Sequence, residues 1–461
     1  MHTALIVVLF ALVVVSGCTS NEQAVNPLVE SNEAPSSAAQ DQAELLQIEQ
    51  QLRGALVNGQ ISPDTYSQLD KQLMQLEAKG LDTKNARQML SQLQVGGEEK
   101  PQQDTTQQNQ PSKPIGLFNQ ECDNKSVSKF AFSPLDLNNL RFIEPQGRMK
   151  GSHVTPVDHQ YWQPVGFQHS SPENDVIKYG IKSPADGYVI QVGKFKENDY
   201  RIIIEHSCEL YTILIHINEL SSKILTTTDG TNSKMFRIPV GAGEVIGRKN
   251  SYTFDVSVHD TNVRLSGFVF PEHYDEVWKI HTVDPFDYFA EPVRTQLREK
   301  SLRSAEPVGG KIDYDIPGTI QGNWFLEGTG WYKDTGVATY WRTHLAIAYD
   351  HINPTQIRIS FGDYEGTEAD FGVKDNAPLP SEVTVQSGII KYELVNYEYL
   401  SGSYVWDALT QAKLTARNKG EVKGTLLVQN LGNNKIKIEI FPGKTASQVA
   451  DFTSSAKTYE R

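Results

Sequence analysis

The spacing of hydrophobic positions changes three times along the chain. Residues 4–15 (Ala-Leu-Ile-Val-Val-Leu-Phe-Ala-Leu-Val-Val-Val) are unbroken apolar sequence. That run is shorter than the ~18–20 residues of a membrane span and has the size of a signal-peptide core. Between 41 and 95, apolar residues return every three or four positions: Leu45, Ile48, Leu52 and Leu56, then Tyr66, Leu69, Leu73 and Leu76, then Met89, Leu90 and Leu93. This period places each set on one face of a helix. Ser62-Pro63-Asp64 offers an N-cap with a first-turn proline, and Gly80 offers a stop. The spacing predicts a small helical hairpin over 41–95. From 116 onward, short Ile-, Val- and aromatic-rich runs are cut by glycines, as at 202–204, 213–215, 344–349, 356–361, 389–395, 424–429 and 435–441. The expected fold class is mainly β: one β domain over 116–300 and a second antiparallel sandwich or barrel over 305–461, behind the helical hairpin. Alternation within the second block marks Trp324, Trp331, Tyr332, Tyr340 and Trp341 as core. The carboxylates Asp363, Glu365, Glu368 and Asp370 read as an exposed acidic loop.

Polar segments separate these blocks. Residues 18–40 read as a flexible tether, and the Gln-rich stretch 96–115 as a linker. The apolar run ends in Val15-Ser16-Gly17-Cys18, which resembles the lipobox of bacterial and archaeal lipoproteins. The resemblance implies a signal peptide over 1–17, a diacylglyceryl thioether on Cys18, and a lipid-anchored protein outside the cytoplasm at the cell membrane or envelope. Thr19 is not the Asp of inner-membrane retention, and Met1-His2-Thr3 lacks the usual basic residue. Gly59-Gln60-Ile61-Ser62 before Tyr66 resembles short oligomerisation modules of the SHOCT type, which implies an oligomerising or docking role for the hairpin. The charge balance, 43 basic against 56 acidic residues, argues against a nucleic-acid partner. With Cys18 lipidated, Cys122 and Cys208 remain as an even pair in an exported chain, so a disulfide between them is expected.

Eight of the eleven histidines fall between 153 and 281, a density that raises a metal site as a hypothesis. In chain order come His153, Asp158 and His159; Ser183-Pro184-Ala185-Asp186-Gly187-Tyr188-Val189; the strand pair from Tyr200 to Ile217 containing His206 and His216; Ile238 to Gly247 with three glycines; Thr253 to His259; and Val283-Asp284-Pro285-Phe286. Over residues 145–290 this succession resembles the lysostaphin and LytM-like zinc endopeptidases, which cleave peptidoglycan peptides on a duplicated-hybrid-motif β fold. That family binds zinc (Zn) through H-x-x-x-D and the second His of a late H-x-H. Two further histidines assist the zinc-bound water. The resemblance implies His153, Asp158 and Asp255 as metal ligands and His216 as the assisting base. This chain departs from the pattern in two places: four residues separate His153 from Asp158, and Thr253 and Asp255 replace both histidines of H-x-H. Using His159 and His259 instead would change the strand face. His169, His273 and His281 have no motif context.

The loss of H-x-H makes a non-catalytic binding or scaffolding module of the envelope the first expectation, with a glycan, peptide or protein ligand. An active zinc metalloendopeptidase cleaving wall peptides or envelope proteins is the alternative. G-x-S-x-G, P-loop, H-E-x-x-H and EF-hand patterns are absent from the sequence.

Overall fold

The computed structural model describes residues 113–123, 129–167, 179–228, 236–332 and 339–461, together with Val176 and scattered positions between 45 and 95. The signal segment, Cys18, the tether, Leu56, Leu93 and His169 lie outside the described residues. The chain divides into two compact units, residues 1–109 and 110–461.

In the first unit, Leu45, Ile48 and Leu52 are helical and buried. They share a core with Leu69, Leu73 and Leu76 of α1 (Pro63–Ala78) and with Ala86, Met89 and Leu90 of α2 (Lys84–Ser91). The three-to-four spacing is what brings these side chains onto common faces. A short parallel pairing of β1 (Gln60–Ile61) with β2 (Gln94–Val95) ties the ends of the hairpin. No periodic signal announces it.

The second unit is mainly β. Its first sheet contains β3 (Leu140–Glu144), β4 (Gln160–Pro164), β6 (Gly187–Lys196), β7 (Asp199–Glu205), β8 (Leu210–Ile217), β10 (Ile238–Val240), β12 (Phe254–Asp260) and β13 (Thr282–Val283). Strand order is β10-β6-β7-β8-β12-β4-β3, with β13 paired to β12, and all pairings are antiparallel. A smaller sheet joins β5 (Tyr179–Lys182), β11 (Val245–Lys249) and β9 (Glu219–Leu220). Both faces of β7 are covered. Ile202 and Ile204 enter the main core, while Ile203 packs on the opposite side with Tyr211 and Ile213. Burial on both faces explains why the sequence there is a continuous apolar run. The turn before β11 needs Gly243, whose φ is +78° and whose added Cβ would lie 3.1 Å from the Phe132 ring.

Helix α3 (Ser222–Thr228) follows β9, and α4 (Val293–Lys300) follows the segment Asp284-Pro285-Phe286 and leads to the last block. That block is a barrel. Its strands are β14 (Gly322–Leu326), β15 (His344–Tyr349), β16 (Ile357–Tyr364), β17 (Thr367–Val373), β18 (Ile389–Ser401), β19 (Tyr404–Val405), β20 (Thr415–Gly432), β21 (Lys435–Pro442) and β22 (Lys457–Glu460). Each of the eight main strands pairs with its chain neighbour, β17 with β18 and β18 with β20, and β22 returns to β14. The meander therefore closes. Trp324, Leu345, Ile347, Tyr392, Leu426 and Val428 help to fill its interior. β19 extends the open end of β18.

Two expectations for this block change. The acidic stretch is a hairpin, not a loop: β16 and β17 run through it and turn at Glu365-Gly366, both with positive φ. Among the clustered aromatics, Trp324 and Tyr332 are buried, whereas Trp331 and Tyr340 are half-buried against a satellite core.

Cys122 is bonded to Cys208, with Cα atoms 5.3 Å apart. The bond closes residues 113–123 over the turn between β7 and β8. Among the described residues, no helix is long and apolar enough to cross a membrane.

Candidate functional site

A cleft of about 990 Å³ opens between the first sheet and the barrel. Its sheet wall is set by the register of three strands. β12 places Asp255 opposite Ile215 of β8 and Tyr161 of β4. Side chains alternate along a strand, so Asp255, Tyr161 and the residue two before Tyr161 share a face. That residue is His159. Asp158 is one position off and points behind the wall.

Asp255 Oδ2 lies 3.4 Å from His159 Nε2 and 3.3 Å from His216 Nε2. Each imidazole is held from behind by its own carboxylate. Asp158 Oδ1 accepts from His159 Nδ1 at 3.1 Å, and Asp199 Oδ1 accepts from His216 Nδ1 at 2.9 Å. Those bonds fix both rings with Nε2 turned to Asp255; of the two, His216 lines the cleft. His216 reaches this position because it is bulged out. The β7–β8 register slips beside it, and its φ is +68°, a conformation rare for a residue with a Cβ. Such a residue costs on the order of 1–3 kcal/mol, a cost that the surrounding ladder absorbs.

His153 sits on a two-residue turn closed by reciprocal backbone bonds with Lys150. Its ring is 5.5 Å, centroid to centroid, from that of His159 and 6.5 Å from that of Tyr161. His153 is exposed at the rim of the cleft.

Burial penalises charge on all these groups, and the outcome depends on their neighbours. His153 is exposed at the cleft rim, yet desolvation by the nearby chain and the adjacent His159 lower its pKa to about 4. Burial opposes a charged His216 as well, but the Asp255 and Asp199 carboxylates outweigh it and hold the imidazole up at about 10. His159 is raised against burial by Asp255 and Asp158. Asp255 is held below the ordinary carboxylate range by His159 and His216, again against burial. Burial and the neighbouring Asp255 keep the Tyr161 phenol protonated.

Of the residues singled out in the sequence, the structure gathers His153, His216 and Asp255 in one cleft. Asp158 and His159 do not line the cleft: His159 is buried behind it against Asp255, and Asp158 supports that histidine. Asp158 Oδ2 also accepts from Trp278 Nε1 at 2.9 Å. His259 shares the face of Asp255 but is engaged elsewhere, with Ser257 Oγ at 2.8 Å and the Trp278 carbonyl at 3.1 Å. His206 is bonded to the Asp186 carbonyl and Thr212, and His281 to the Val263 carbonyl. His273 stacks on Trp331.

The opposite wall comes from the barrel, which the sequence did not tie to the site. Tyr397, Glu398 and Tyr399 of β18, Trp406 beyond β19, and Lys419 of β20 all line the cleft. Arg358 lies 3.7 Å under the Tyr397 ring, and the Tyr399 hydroxyl donates to Asp350 at 2.8 Å. Trp406 packs edge-on against Phe142 of the sheet. His351 Nε2 donates to Glu144 Oε1 at 2.8 Å and joins the two walls at the floor.

Among the described residues, no group of three or more His, Cys, Asp or Glu side chains is placed so that it could hold a metal ion. Two donor atoms of the cluster are buried without a hydrogen-bond partner, however: His159 Nε2 and Asp255 Oδ1. The hydroxyl of Thr253, on the cleft wall two residues before Asp255, is likewise unpartnered. No protein-family model matches the chain, and a search of curated proteins finds no match.

Proposed function

We propose that the chain is a zinc-dependent peptidase of the lysostaphin and LytM type with an altered ligand set. In this reading it is anchored through Cys18 and acts on peptides or proteins of the cell envelope. The observation that carries it is Asp255 Oδ2 lying 3.4 Å from His159 Nε2, a ring backed by Asp158, with the Asp199-backed His216 Nε2 3.3 Å away as a neighbouring proton carrier. A tetrahedral zinc with bonds of about 2.0–2.1 Å separates its donors by about 3.3–3.4 Å. Carboxylates behind the histidines are the usual outer support of such a site.

His153, His159 and Asp255 would hold the ion. Zinc supplies Lewis-acid polarisation of the scissile carbonyl and makes water acidic enough to attack near neutral pH. His216, oriented by Asp199 and lining the cleft, would carry a proton to the leaving amine. Tyr161, protonated and on the same face, offers a hydrogen-bond donor to charge developing on the substrate oxygen. Tyr397, Tyr399 and Trp406 hold the substrate against this wall.

The test is cleavage of a peptide panel, read as new amino termini, with the full chain in the presence of zinc and of a chelator. Zinc-dependent cleavage that falls on the order of 10²-fold or more in His216→Ala is the expected result. Zinc bound with no cleavage in any panel would favour the second reading, a binding or scaffolding module. Thr253 favours that reading, because a hydroxyl stands where the family has its other assisting histidine.

A further inference from the structure

The acidic side chains of the cleft already have partners. Glu144 accepts from Arg148 at 3.1 Å and from His351 at 2.8 Å. Asp199 holds His216, and Asp255 lies between His216 and His159. Glu398 is paired with Arg417 and Lys419, and Asp370 accepts from the Tyr397 hydroxyl at 2.6 Å.

Several donors of the cleft do not. Arg148 gives Nη1 to Glu144, and its Nε and Nη2 have no hydrogen-bond partner among the described residues. The side chain is 30% exposed, and its guanidinium lies 5.1 Å from the centre of the Tyr161 ring. Tyr161 is 7% exposed and lines the cleft, yet its hydroxyl bonds to nothing among the described residues. The barrel phenols differ, since Tyr397 donates to Asp370 and Tyr399 to Asp350. Lys150 and Lys196 also line the cleft. Both are exposed, and neither is paired with a carboxylate among the described residues. The groups left unmatched are thus donors and positive charge, in a chain with 56 acidic against 43 basic residues.

We propose that the cleft binds a carboxylate of a peptide, at its C-terminus or on an acidic side chain, with Arg148 as anchor, Tyr161 as second donor and Lys150 as a charge at the rim. This inference rests on the peptide ligand of the reading above and not on its metal. The free Nε and Nη2 of Arg148 form one edge of a planar group, the edge that grips both oxygens of a carboxylate. Glu144 keeps Nη1 and so holds the guanidinium in place for that grip. Partial burial shields the pair from the screening that weakens surface ion pairs. An unmet buried hydroxyl is costly, and a ligand oxygen at Tyr161 removes that cost. Phe142, Phe167, Val405 and Trp406 supply apolar lining in the same cleft. Such lining suits the side chains flanking a peptide carboxylate better than a sugar rich in hydroxyls.

The test is equilibrium binding to the full chain by calorimetry, with a chelator present so that zinc plays no part. The probes are an acetylated alanine tetrapeptide amide carrying one Glu, its Gln counterpart, the Gln peptide with a free C-terminal carboxylate, and methyl glucuronide. One or both peptide acids are expected to bind about tenfold more tightly than the Gln amide, a preference that shrinks as salt rises. Arg148→Gln removes the preference, and Arg148→Lys recovers part of it, because lysine keeps the charge but not the planar edge. Tyr161→Phe and Lys150→Ala each reduce it roughly two- to fivefold. Binding of the Gln amide stays the same in all four variants, whereas a purely structural role would weaken every probe alike. If Arg148→Gln fails to fold, the other two sites decide, and a wild-type preference in both Tyr161→Phe and Lys150→Ala overturns the proposal. A wild-type preference in Tyr161→Phe alone removes Tyr161 from the site. Equal binding of acids and amide by the wild type overturns the proposal, as does tighter binding of the glucuronide than of either peptide acid. Zinc-dependent cleavage with no preference for acids overturns this inference alone. A preference for acids in a chain that binds no zinc supports it and overturns the zinc reading alone.

Discussion

The sheet and the barrel both bury their strands from two sides, but they bury different chemistry. In β12, Phe254, Val256 and Val258 enter the apolar core, while Asp255, Ser257 and His259 occupy the other face, equally buried. In β15, Leu345 and Ile347 fill the barrel, and the opposite face carries Ala346 and Ala348, packed under Met149 and Tyr314. The apolar interior of the barrel favours folding directly. The polar face of β12 does not, because burying charge costs several kcal/mol per ion before pairing returns any of it. The buried polar face of β12 is therefore not explained by apolar burial and depends on its pairing for whatever stability it has. The barrel contributes to the site from its outer surface, as a wall.

The sharpest way to break this contrast is to damage each interior separately. Trp324 is 1% exposed, lies under the Arg461 guanidinium and donates to the Ile320 carbonyl at 2.8 Å. Trp324→Ala should cost about 3–5 kcal/mol in chemical denaturation while leaving zinc binding by the folded protein unchanged. A matched loss of metal affinity would show that the two regions are not separable.

The next largest effect concerns the joint between them. Burial raises the Glu144 carboxyl, but Arg148 and His351 overcome this and hold it at about 2 instead of 4.5. The folded-state value is lower than the unfolded one. The contribution is therefore fully present above about pH 4.5 and is lost as pH falls towards 2. A shift of that size corresponds to about 3 kcal/mol. Glu144→Gln should flatten the acid limb of the stability profile in this window. An unchanged limb would mean that the joint carries no such linkage.

The smallest effect tests the barrel wall. Trp406→Ala should raise KM roughly tenfold, the scale of one lost aromatic contact, with kcat unchanged. His216→Ala should do the reverse and lower kcat. A fall in kcat for Trp406→Ala would place the barrel in the chemistry, not in substrate holding.

Much of this architecture is legible in the sequence because its signals are local. The leucine stripes of the hairpin and the Ile- and Val-rich strands depend only on spacing. Each strand named from 344 to 441 has its counterpart in the barrel. β17 was hidden because the outward positions Glu368 and Asp370 mask the alternation carried by Phe371 and Val373. At the site, His153, His216 and Asp255 were readable from motif order. His159 was named only in a shifted alternative that was set aside on strand face: counting back in twos from Tyr161 selects it and rejects Asp158, but that count requires the β4–β12 register. Asp199, Trp278 and the wall from Tyr397 to Trp406 carry no local signal. They reach the cleft through pairings and packing that join segments far apart in the chain.

The most direct test of the account is zinc per chain, by elemental analysis of the purified protein and of Asp255→Asn. The account predicts near one zinc per chain in the wild type and loss of it in the variant, with the metal-free fold retained. Absence of zinc after supplementation, or equal zinc in both proteins, would contradict it.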